Sequence, residues 1–242
     1  MVKYGRGEDG VYRDPVSLGG RIRMAFVLLL LIGAIAFLVV RGCDAGGAAA
    51  SATGPVRVSC VGDSITYGFG LADREHEYWT FLLQDRLPED SSVGNYGVSG
   101  SCALADGYYP WTRTAQSHAF WEAEEDVVIL MLGTNDVADS TWDEAAFERS
   151  FGELVDRILA KPCHPRLIIM LPPHVFASPT MDERLESEAI PALRRVAERA
   201  DAGIVDLYTL TDGHPEWFDD GLHPNAEGSR AIVEAVSEVL GV

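Results

Sequence analysis

The chain has 242 residues and a net charge of −18 at pH 7; beyond residue 41, 34 acidic side chains stand against 13 basic ones, a net −21. Nucleic acids and other polyanions are held by basic surfaces, so this balance argues against them as substrates or partners. The acidity also serves to keep an exposed domain soluble.

Residues 1–23 carry Lys3, Arg6, Arg13, Arg21 and Arg23, and from Met24 to Val40 every residue is apolar or glycine. Seventeen such residues reach the lower end of what a membrane-spanning helix needs, about 17–25. Positive charge stays cytoplasmic, so residues 1–23 are expected inside, 24–40 across the cell membrane as an anchor, and the remainder outside. A cleaved signal peptide is the competing reading, with Ala45 to Ala50 offering a cleavage site and secretion as its outcome. Lipidation at Cys43 is disfavoured by Arg41, two residues before it. Residues 41–55, rich in Gly, Ala and Ser, read as a flexible linker.

Residues 56–242 have the length of one α/β domain. Val56–Val61 reads as a first strand, Tyr78–Leu87 as a helix with Trp79, Leu82, Leu83 and Leu87 on one face, and Ser92–Tyr96 as a weak second strand. The uninterrupted apolar run ending at Leu132 fits a central parallel strand covered on both faces. Ala145–Ala160 is expected to be helical, Arg166–Leu171 a strand stopped by Pro172 and Pro173, and Asp182–Ala200 a helix kinked or split by Pro191. Gly203–Leu207 is a fifth strand and Asn225–Leu240 a closing helix. Alternating strands and helices predict a parallel sheet covered on both sides. Ligands bind at the carboxyl ends of such strands.

Four short segments fall at or near strand ends or before the last helix: Gly62-Asp63-Ser64-Ile65-Thr66, Asn95-Tyr96-Gly97-Val98-Ser99-Gly100, Gly133-Thr134-Asn135-Asp136 and Asp220-Gly221-Leu222-His223-Pro224-Asn225. Ser64 lies on a sharp turn that exposes a nucleophile. The three-residue spacing lets Asp220 receive the His223 Nδ1 proton and leaves Nε2 free as a base. Gly97 offers an unhindered backbone N–H and Asn135 a side-chain amide, both candidate oxyanion donors. Taken singly, each has a plain structural reading: a turn serine, a turn glycine, a turn asparagine, and helix caps at Asp220 and Asn225. Asp63 and Asp136 read as turn residues.

In these blocks, and across residues 56–242, the sequence resembles the SGNH hydrolases, also called the GDSL esterase/lipase family. The resemblance implies a three-layer α/β/α fold with a flavodoxin-like parallel sheet of about five strands. It implies Ser64 as nucleophile, His223 as base, Asp220 as its orienter, and an oxyanion hole of Ser64, Gly97 and Asn135, with neither metal nor cofactor. The expected reaction is two-step ester hydrolysis through Ser64, rising with pH through roughly 6–7, near the ordinary histidine pKa.

Between Gly100 and Asp126 the chain is rich in aromatic residues, and Gly107–Thr114 resembles the family's carbohydrate-acetylesterase and sialate-esterase-like members. Tyr109, Trp111 and His174 are candidate pocket residues, whereas Phe120 and Trp121 read as packing beneath a long loop. The expected substrate is a short acyl group, acetate foremost, on a sugar or glycan. Alternatives are a lysophospholipase or thioesterase, a glycan O-acetyltransferase, and a non-catalytic glycan-binding domain. Cys60 reads as a buried small hydrophobe. Cys102 and Cys163, if extracytoplasmic, are open to a disulfide.

Overall fold

A computed structural model of the protein describes residues 54–242. The expected anchor at 24–40, the segment before it and all but the end of the linker lie outside the described residues. Among the described residues no helix is long and apolar enough to cross a membrane.

Five strands form the sheet: β1 (Arg57–Gly62), β2 (Ser92–Gly97), β3 (Val127–Met131), β4 (Arg166–Leu171) and β5 (Gly203–Asp206). All pair in parallel in the order β2-β1-β3-β4-β5. Chain order reverses across β1, so the crevice at the carboxyl end of β1 is the switch point where such folds bind ligands.

The helices are α1 (Ser64–Tyr67), α2 (Arg74–Glu77), α3 (Trp79–Gln84), α4 (Ala115–Glu122), α5 (Thr134–Ala138), α6 (Glu144–Leu159), α7 (Pro179–Arg184), α8 (Ile190–Arg199), α9 (Leu207–Thr211) and α10 (Ala226–Leu240). The two-residue alternation of β3 divides its side chains between two cores. Val128 and Leu130 pack with Phe147, Phe151, Leu154 and Ile158 of α6 and Leu193 and Val196 of α8. Val127, Ile129 and Met131 pack with Trp79 and Leu83 of α3 and Ile232, Val236 and Leu240 of α10. The result is three layers with a sheet buried on both faces, as the apolar runs predict.

Pro191 enters α8 within its first two residues, directly after a π-helical turn, Leu185–Ala189. Proline lacks the N–H that a continuous α-helix would need there, and the wider turn absorbs the misfit. The helical backbone continues through the segment, and the irregularity that its sequence indicates takes the form of this π turn. The aromatic stretch differs from expectation: it holds α4 and a 3-10 turn, Trp111–Arg113, rather than only a loop.

Cys60, Cys102 and Cys163 are all free thiols. The bridge considered between the last two is not formed, because they sit at opposite ends of the sheet. Cys102 follows the carboxyl end of β2 and its Sγ faces Leu104 O, whereas Cys163 precedes β4 and faces Glu125. Cys60 is buried, which pushes its thiol far above the ordinary range.

Candidate active site

Ser64 is placed by what flanks it. At Gly62 a Cβ would stand 2.2 Å from Thr66 Oγ1, so only glycine lets α1 fold back against the end of β1. Asp63 then caps that helix, its Oδ1 accepting from Ile65 N at 2.9 Å. The turn closes on the serine itself, with Gly68 N and Phe69 N both donating to Ser64 O at 3.0 Å.

His223 arrives from the loop before α10. Asp220 Oδ1 accepts from Leu222 N at 2.9 Å and His223 N at 2.7 Å, bracing the loop. Its Oδ2 lies 2.6 Å from His223 Nδ1, and His223 Nε2 lies 3.0 Å from Ser64 Oγ. The three side chains form one continuous chain of hydrogen bonds. Burial alone would raise the Asp220 carboxyl, but hydrogen bonds from the His223 ring and the two backbone N–H groups outweigh it. Its pKa lies below the usual aspartate value. The capping role goes to Asn225, whose Oδ1 accepts from Glu227 N and Gly228 N of α10.

Asn135 is the second residue of α5, reached through Gly133 at φ 137°, a conformation that favours glycine. Its Nδ2 donates to Ser101 O at 3.0 Å and lies 3.4 Å from Asp63 Oδ2. The neighbouring Asp136 is fully buried and accepts from Ala103 N and Leu104 N, tying the third block to the loop of the second. Burial pushes Asp63 up to about 7, with the charge of Asp136 adding to it and the Ile65 N–H opposing. Burial likewise raises Asp136 to about 6 against the Leu104 and Ala103 N–H groups.

Gly97 does not fill the role expected of it. Its N–H donates to Asn95 Oδ1 at 2.9 Å, and a Cβ there would stand 2.3 Å from Tyr67 N. It is glycine so that α1 can pack on the end of β2. Gly100, three residues on at φ 79°, lines a cavity of about 460 Å³ with Asn135, Cys102, Tyr108, Tyr109 and Asp139. Among the described residues the backbone N–H groups of Ser64 and Gly100 have no partner within the protein. The second glycine of the Gly-Val-Ser-Gly segment was the available signal.

The other pocket candidates separate. Tyr109 is partly exposed and lines the cavity. Trp111 is completely buried, with Nε1 donating to Tyr96 O and its ring edge-on to Phe120, so it belongs to the core and not to a pocket. The apolar cluster around α4 claimed that ring. His174 does not line the cavity. It is held by Asp182 at 3.1 Å and lies 3.7 Å from the Tyr208 ring. Phe69, which sequence reasoning passed over, lies 4.7 Å from the His223 ring, centroid to centroid.

A buried switch-point serine in contact with a carboxylate-braced histidine is an arrangement suited to acyl transfer. Residues 60–231 match the GDSL-like Lipase/Acylhydrolase family, and the chain belongs to that family. It is 28% identical over 208 residues to an acetylxylan esterase of Xylanibacter ruminicola, an alignment covering 76% of this chain and 43% of that protein. The chain thus spans less than half the length of the curated relatives it matches. Among solved structures, a lipolytic G-D-S-L protein of Veillonella parvula superposes with a TM-score of 0.63 at 20% identity, over 76% of this chain and 97% of that one. An acetylxylan esterase of Geobacillus stearothermophilus gives 0.61 at 19%, over 77% and 94%. These likenesses concern the fold.

Proposed function

We propose that the protein is a serine esterase that removes short acyl groups, acetate foremost, from carbohydrates. The observation that carries this reading is the hydrogen-bonded chain Asp220–His223–Ser64, with Oγ 3.0 Å from Nε2. Similarity to an acetylxylan esterase supports the choice of acyl group and acceptor.

In this mechanism His223 Nε2 takes the Ser64 proton as Oγ bonds to the ester carbonyl carbon. The oxyanion forms against the Ser64 and Gly100 N–H groups and the Asn135 amide, the first two unengaged in the resting protein. The C–O bond to the alcohol breaks, and His223 hands its proton to the departing oxygen. Water, deprotonated by the same histidine, attacks the acyl-serine and releases the acid. Asp220 holds the imidazole with its proton on Nδ1 and stabilises the imidazolium.

The apolar run at 24–40 with its basic leading flank supports a membrane anchor holding this domain outside the cell. Fractionation of cells expressing the full chain, with external protease, checks that placement.

The decisive test is hydrolysis of aryl esters from two to sixteen carbons by the full chain and its Ser64→Ala variant. Acetate release that vanishes in the variant is the expected result. A preference beyond about eight carbons points instead to lipid or thioester substrates. Acetylated acceptor formed in place of free acetate identifies a transferase.

A further inference from the structure

Among the described residues the exposed large apolar side chains are Tyr67, Phe69, Tyr108, Tyr109 and Val242. The four rings come from two segments beside the candidate site. Tyr108 and Tyr109 line the cavity that Asn135 opens into. Tyr67 and Phe69 sit at and just past the end of α1, the helix that begins at Ser64. Scattered exposed apolar residues need no explanation, but rings gathered at one rim do.

Phe69 is the one of them whose ring meets that of His223. It is 48% exposed, and its ring stands tilted over the imidazole of His223 at 4.7 Å. Its N–H is bonded to Ser64 O, and it lies between two left-handed glycines, Gly68 and Gly70. Arg74 secures the same turn: Nε donates to Tyr67 O at 2.8 Å while the guanidinium covers the Tyr67 ring at 3.9 Å. A turn held in this way loses little freedom when something stacks on the ring it carries.

The alcohol of an ester cleaved at Ser64 leaves with the proton of His223, so the group bearing that alcohol lies on the histidine side. The carbonyl oxygen faces Asn135 and Gly100. A groove of about 320 Å³ is bordered by Gly70, the residue after Phe69, and by Leu71, Glu77, Asp219 and Glu227. A Cβ on Gly70 would stand 3.7 Å from His223 Cβ, so the groove lies beside the residue that carries the imidazole. Its carboxylates accept hydrogen bonds from hydroxyl groups and repel anions.

We propose that Phe69 is the platform for the sugar ring whose acylated hydroxyl leaves, and that the groove bordered by Gly70 takes the next residues of an uncharged glycan chain. This rests on the esterase reading. Sugar rings present C–H faces suited to stacking on an aromatic ring, and exposed rings stand both beside His223, at Phe69, and in the cavity that Asn135 lines, at Tyr108 and Tyr109. The carboxylates in the groove make the neutral glycan the substrate class and disfavour uronate-rich or sialylated chains.

The test compares kcat/KM of the full chain on a partially O-acetylated neutral oligosaccharide and on ethyl acetate, whose alcohol has no ring. Phe69→Ala and Phe69→Leu are expected to lower the oligosaccharide value about 10- to 100-fold, chiefly through KM, with a much smaller loss on ethyl acetate. Phe69→Trp is expected to retain the oligosaccharide value. Equal losses on both substrates in the Leu variant overturn the proposal, because they mean that Phe69 only braces His223. A second arm needs no turnover: calorimetry of the same oligosaccharide with Ser64→Ala, alone and combined with Phe69→Leu. Affinity that falls at least tenfold in the double variant supports the platform even if no ester is hydrolysed, and unchanged affinity overturns it. An acetylated uronate oligosaccharide turned over as well as the neutral one overturns the charge selection.

Discussion

Ser64 Oγ and His223 Nε2 stand 3.0 Å apart, although 159 positions separate the two residues. If that contact generates the nucleophile, Ser64→Ala loses kcat by at least about 10⁴-fold while the melting temperature holds. Acetate release by titration, beside thermal melts, checks both halves.

Asp220 separates two functions by substitution. Asparagine keeps an oxygen for the backbone N–H groups of Leu222 and His223 but turns an amide toward His223 Nδ1. The proton then sits on Nε2, where the base should be free, and kcat is expected to fall about 10³- to 10⁴-fold with little loss of stability. Alanine also removes the loop's acceptors and should destabilise by about 1–3 kcal/mol. Because the Asp220 carboxyl titrates below the usual aspartate value, its contribution to stability is complete above the unfolded value of about 3.9. That contribution is lost as pH falls through the lower folded value. Melts of the wild type and Asp220→Asn between pH 2 and 5 should converge at the acid end.

Asn135→Ala removes one of the proposed oxyanion donors and should lower kcat about 10²- to 10³-fold with KM little changed. Steady-state kinetics on an acetate ester resolves the two constants.

The buried carboxyls of Asp63 and Asp136 run the opposite way. Their folded values, about 7 and about 6, lie above the unfolded one, so the folded protein binds more protons between pH 4 and 7. Stability is therefore expected to decline as pH rises through that window. Asp63→Asn should flatten the decline, as melting temperatures from pH 4 to 8 would register.

The strand cores were legible because parallel strands covered on both faces read as unbroken apolar runs, and Arg166–Leu171 is a strand with those bounds. The placement of Ser64, Asn135, Asp220 and His223 was legible because each follows a strand end or precedes the last helix. Gly97 and Gly100 were not separable, since glycine records only that a Cβ is excluded. In one case α1 excludes it, and in the other a positive φ disfavours it. Trp111 was misplaced for a related reason: an aromatic ring suits both a pocket and a core, and only the packing of Phe120 decides. Asp136 and Phe69 act through partners distant in sequence, which spacing does not reveal, whereas Asp63 caps its own turn as a turn residue does.

Lys161 and Glu125 form a buried ion pair at 2.9 Å, with Lys161 also donating to Phe120 O and Ser59 donating to the glutamate. Lys161→Met strands the carboxylate and should cost about 3–5 kcal/mol, whereas adding Glu125→Leu should recover much of that loss. Urea denaturation of the two variants measures the difference.

The hydrogen-bonded chain also has a temporal side. Ser64 follows the first strand of the domain, and Asp220 and His223 come after the fifth. A nascent polypeptide therefore carries its nucleophile through almost the whole synthesis of the domain before any base exists to activate it. On the esterase reading, the domain is expected to stay inert toward esters while it is being made and to become reactive only as its last helix docks.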